Sequence, residues 1–79
     1  MDIKNLISID EDILGGQPVF AGTRVPIETL FDHLESSIPL NDFLNDFPSV
    51  TRQQAVDLLE AANKLFNSKN IQELYASVA

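Results

Sequence analysis

From residue 26 onward, apolar residues recur with a helical spacing. Ile27, Leu30, Phe31 and Leu34 fall at i, i+3, i+4 and i+7, one stripe of a first helix that opens at Pro26. Glu28 in its first turn suits the helix dipole. His33 lies off the stripe and is expected to be an exposed helical histidine. Ser36 and Ser37 end this helix, and Pro39 prevents continuation. Leu40, Phe43, Leu44 and Phe47 repeat the spacing as a short second helix, closed by Pro48. Thr51 with Gln54 three residues later reads as a capping box, so a third helix starts there. Its buried face is expected to hold Ala55, Leu58, Leu59, Ala62, Leu65 and Phe66. After Asn67–Ser68, Asn70 with Glu73 reads as the cap of a last helix, with a stripe of Ile71, Leu74, Tyr75 and Val78.

The first 25 residues read differently. Leu6, Ile7 and Ile9 are β-formers over a short span, and Asp10-Glu11-Asp12 ends the strand they predict. Ile13 and Leu14 turn back inward as one helical turn. All three glycines of the chain and two of its four prolines then fall within Gly15–Pro26. That density prescribes a backbone path, because glycine admits positive φ and proline holds φ near −65°. Val19, Phe20 and Val25 favour extended, buried structure. Thr23, Arg24 and Val25 are expected to run antiparallel to Ile7–Ile9 as a two-stranded ribbon.

The fold class that follows is mainly α: a short N-terminal β-ribbon, a three-helix core and a C-terminal helix. It forms a single domain over 1–79, with ribbon and Gly/Pro loop at 1–25, helical core at 26–68 and last helix at 69–79. At 79 residues the core is small, and domains below roughly 70–80 residues seldom draw more than ~3–5 kcal/mol from one core. The absence of cysteine excludes disulfides and thiolate metal sites. A single histidine excludes an imidazole cluster. Self-association or a larger partner is therefore the expected support, and a homodimer is expected.

Charge narrows the partners. Twelve acidic and five basic residues leave −7, a field that repels phosphate and favours a basic partner. No apolar run is long enough to span a bilayer. The N-terminus lacks the basic-then-apolar pattern of a signal peptide, so a cytoplasmic protein is expected.

Sites for chemistry are scarce. The acidic trio at 10–12 lacks the alternating ligands, glycine and closing glutamate of a calcium loop. The glycines are not followed by the Lys-Ser/Thr of a phosphate loop. No nucleophile has a base beside it, so no catalytic residue, cofactor or metal is expected. Arg24 is either tied to nearby carbonyls and carboxylates or faces an interface. The second and third helices are joined so tightly that they have the layout of a helix-turn-helix. Thr51, Arg52, Gln53 and Gln54 would then sit at the base-reading end, unless capping occupies Thr51 and Gln54. Ile71, Leu74, Tyr75 and Val78 pack either on the domain itself or on a partner.

Three blocks, Gly16-Gln17-Pro18-Val19, Gly22-Thr23-Arg24-Val25-Pro26 and Phe47-Pro48-Ser49-Val50-Thr51, resemble the bacterial domain-of-unknown-function family 433. The resemblance covers roughly Ile7 to Ala62 and makes Gly16, Pro18, Gly22, Thr23, Arg24 and Pro26 signature positions, structural or interfacial. It implies a homeodomain-like or winged-helix-like core. It also implies an antitoxin: a dimer that binds and silences a PIN-like ribonuclease toxin, often repressing its own operon as the toxin–antitoxin complex. Two positions depart from the family pattern. Ser37 stands where a glycine usually ends helix one, and Pro39 stands where a serine-like cap usually precedes helix two. The alternative role is a stand-alone DNA-binding regulator.

Overall fold

The computed structural model describes residues 3–78. It contains α1 (Ile3–Leu6), β1 (Ile7–Ser8), a 3₁₀ turn at Leu14–Gly16, β2 (Val19–Phe20), α2 (Ile27–Glu35), α3 (Leu40–Asp46), α4 (Arg52–Phe66) and α5 (Lys69–Val78). The protein is mainly helical, with one short antiparallel sheet near its N-terminus.

The ribbon is built differently from the sequence expectation. Residues 4–6 are helical, and the strand is only Ile7–Ser8. Its partner is Val19–Phe20, in the register Ile7 to Phe20 and Ser8 to Val19, and not Thr23–Val25. The cause is the turn that follows β2. Gly22 takes φ 75°, a region other residues reach only with strain. The Thr23 amide then closes onto the Phe20 carbonyl at 3.0 Å. A turn this tight makes the segments on its two sides pair with each other. The Phe20 amide donates to the Val25 carbonyl at 2.9 Å, and Val19 bridges Pro26. Val19–Phe20 thus lies in the middle, leaving only its other edge for Ile7–Ser8. Pro26, which has no amide to donate, sits at the outer edge.

The helical half follows the periodicity closely. Pro26 is the N-cap of α2, one residue before its first helical turn. Thr51 caps α4 in a complete capping box: the Gln54 amide donates to Thr51 Oγ1 at 3.1 Å, and the Thr51 amide donates to Gln54 Oε1 at 2.9 Å. Ser68, not Asn70, caps α5, because α5 begins at Lys69 and the Ser68 hydroxyl accepts from the Ile71 amide.

The core joins the ribbon to the helices. Leu6, Phe20, Leu30, Phe43, Val50, Ala55 and Leu58 form one buried cluster. Phe20 and Phe43 lie 6.1 Å apart, and Phe43 and Phe47 5.1 Å, in tilted pairs. His33 departs from its expected exposure: its side chain is only 18% exposed. The ring meets Phe43 and Phe47 edge-on at 5.4 and 5.6 Å. Its Nδ1 lies 2.8 Å from the Thr29 carbonyl, and its Nε2 lies 3.8 Å from Asp46. A position off the α2 stripe is half-buried because Phe43 of α3 and the following Phe47 pack against it. Leu65 and Phe66, expected in the core, are exposed, because α4 outruns the elements packed against it.

Candidate functional site

Two of the signature blocks meet in space. Gly22, Thr23, Arg24 and Val25 line an open groove of about 640 Å³ together with Ser49, Ser8 and Ile13. The loop that carries Arg24 is held at several points. Thr23 Oγ1 donates to the Phe20 carbonyl at 2.8 Å and accepts from the Val25 amide at 3.1 Å. The Ala21 amide donates to Leu6, and the Ile27 amide donates to the Pro18 carbonyl. Gln17 Nε2 reaches Glu28 Oε2 at 2.9 Å, tying the loop before β2 to the first turn of α2.

A second tether comes from the far end of the chain. Gln54 Nε2 donates to the Ala21 carbonyl at 3.0 Å, while its Oε1 serves the α4 cap. One side chain therefore locks the start of α4 to the glycine turn. The capping-box spacing makes Gln54 legible as a cap, but a bond across 33 residues carries no local signal, so nothing in the sequence marks Ala21.

Arg24 stands apart in this scaffold. It is exposed and makes no hydrogen bond or ion pair among the described residues. The reading that tied it to nearby carbonyls or carboxylates is not what the structure holds. Its backbone is fixed while its guanidinium is unengaged.

The four residues at the start of α4 are all engaged with their own chain. Thr51 and Gln54 form the cap. Gln53 Nε2 donates to Asp57 at 2.8 Å, and Arg52 donates to Asn41 Oδ1 of α3. Arg52 and Gln53 are nevertheless exposed. The α5 stripe is the opposite case: Ile71 is half-buried, while Leu74, Tyr75 and Val78 are exposed.

Carboxylates dominate the remaining surface. Asp10, Glu11, Asp12, Glu28, Asp32, Glu35, Asp42 and Asp46 are all exposed. Among the described residues, no three or more His, Asp or Glu side chains are grouped to hold a metal ion. No helix among them is long and apolar enough to cross a membrane.

Residues 7–61 match the model of a family described as protein of unknown function (DUF433). The chain belongs to the DUF433 family. No curated protein and no solved structure matches it. The matched span runs from β1 to the middle of α4, so the DUF433 unit comprises the ribbon, the Arg24 loop and the α2–α4 core. The end of α4 and all of α5 lie beyond it.

Proposed function

We propose that this DUF433 protein is the antitoxin of a bacterial toxin–antitoxin pair, binding and neutralising a PIN-like ribonuclease through the Arg24 groove without catalysis of its own. The observation that carries this reading is the unengaged, exposed guanidinium on a backbone pinned from both sides. A guanidinium offers carboxylates a planar, bidentate fork, and with the loop backbone pinned only the side chain has to be ordered on pairing. The acidic active site of a PIN-like nuclease is a fitting receptor, because an arginine placed among its carboxylates competes with the catalytic metal. The exposed acidic surface acts at longer range. It draws in the basic, RNA-binding face of such an enzyme and speeds encounter.

The test is the affinity between this protein and the product of the adjacent reading frame. Arg24→Glu lowers it by about 100-fold, the scale expected when one partner of a desolvated charge pair is reversed. The variant's circular dichroism stays native, because Arg24 supports nothing in the fold. Undiminished binding by Arg24→Glu counts against the Arg24 site, and no binding by the wild-type protein counts against the antitoxin reading.

A DNA-binding role is the second reading, favoured by the exposure of Arg52 and Gln53 on the first turn of α4. Their bonds to Asn41 and Asp57 must first be released, and Asp57 adds a carboxylate beside the phosphate path. Operon autoregulation therefore belongs to the toxin–antitoxin complex, with the toxin supplying cations. A gel-shift on the upstream DNA is expected to show a complex only when both proteins are present.

A further inference from the structure

We propose that the protein self-associates through α5, the apolar stripe of each copy filling a groove on the other. The groove is lined by Ile27 and Phe31 of α2 and by Leu58, Ala62 and Leu65 of α4, and it measures about 590 Å³. Among the described residues, none of α5 lines it. The stripe and the groove are thus two unfilled apolar surfaces of one chain. Leu74, Tyr75 and Val78 are 59%, 73% and 77% exposed, and Phe66 at the groove's end is 67% exposed. Their lengths correspond: α4 runs ~12 Å from Leu58 to Phe66, and α5 spans ~15 Å, at 1.5 Å per residue.

The turn between α4 and α5 is closed by local bonds, and the chain's own α5 does not line the groove. Asn67 Nδ2 donates to the Asn63 carbonyl at 2.8 Å, and the Ser68 hydroxyl donates to the Leu65 carbonyl at 2.8 Å. Only Asn67 and Ser68 lie between the helices, and α5 leaves this turn without lining the groove.

Charge selects a second copy as the occupant. Residues 60–79 carry Glu60, Glu73, Lys64 and Lys69 and are neutral, so the whole −7 falls on residues 1–59. Two copies that approach through this end bring the least like charge together. Lys64 sits at the groove rim, and Glu73 adjoins Leu74 on α5, so an incoming α5 brings a carboxylate to that ammonium. Reciprocal exchange closes with two-fold symmetry, the commonest oligomer geometry. None of the residues that line this groove lines the Arg24 groove, so the exchange leaves the Arg24 groove open.

Light scattering on eluting protein tests this. At roughly 100 μM, where even a modest interface is populated, the expected mass is twice 8.8 kDa. Leu74→Asp with Tyr75→Asp halves that mass with helicity retained, since α5 buries no residue in its own chain. In a chain without native cysteine, Ala62→Cys with Tyr75→Cys oxidised by diamide is expected to give a covalent dimer. A wild-type monomer, a dimer that survives the double aspartate change, or a cross-link formed within one chain would overturn the exchange.

Discussion

Ser37 holds φ at 63° in the position that ends α2. The Ser37 amide bonds the Leu34 carbonyl at 3.1 Å, and the Ile38 amide bonds the His33 carbonyl at 2.8 Å. This pair is a Schellman motif, which satisfies the last carbonyls of a helix and calls for glycine at its left-handed residue. Serine there carries a Cβ penalty that glycine avoids. Ser37→Gly is therefore expected to stabilise the protein by about 1 kcal/mol, measured as a shift of the urea midpoint at constant slope. An unchanged or lowered midpoint would show that the penalty is relieved elsewhere. Serine at this position raises the energy of the turn while both hydrogen bonds of the motif are made.

At the scale of elements, one side chain couples the glycine loop to α4. Gln54→Ala removes the bond to the Thr51 amide and leaves the half-buried Ala21 carbonyl without its donor. The expected cost is about 1–3 kcal/mol. Thr51→Ala removes only the cap and costs about 1 kcal/mol. Gln54→Glu separates the two roles. Glutamate serves a capping box as well as glutamine does, but it cannot donate to Ala21 and sets a carboxylate against a carbonyl. Thermal denaturation is expected to place Gln54→Glu nearer to Gln54→Ala than to wild type. A wild-type melting temperature for Gln54→Glu would mean the loop tether contributes little.

At the scale of the whole molecule, the charge is unevenly spread. The exposed carboxylates of residues 10–46 face few cations, and a compact chain of net −7 repels itself. Raising sodium chloride from roughly 20 mM to roughly 300 mM contracts the screening length from about 20 Å to about 6 Å. The melting temperature is expected to rise by a few degrees in calorimetry, with ribbon and core unaltered. A fall would indicate that the carboxylates are stabilised by partners that salt weakens. The same field is expected to favour basic partners at the acidic α2–α3 surface and to oppose a second copy least where the neutral α5 end approaches.

Spacing alone determined α2, α3 and α4, since Ile27, Leu30, Phe31 and Leu34, then Leu40, Phe43 and Leu44, then Ala55, Leu58, Leu59 and Ala62 each follow the helical period, and Thr51–Gln54 marks a start by local bonding. It also marked the glycine- and proline-rich stretch as a place of sharp turns, because proline fixes φ and glycine admits the positive φ found at Gly15, Gly16 and Gly22. Tertiary structure decided which segments pair across that stretch, since Gly22 sets the turn but only closure with Val25 assigns β2 its neighbours. It decided that His33 is packed, because the rings that cover it belong to another helix. It decided that Arg24 is unengaged and that Leu65, Phe66 and the α5 stripe are uncovered. Exposure depends on what arrives from elsewhere in the chain, and periodicity names a helix's apolar face without saying whether anything lies against it.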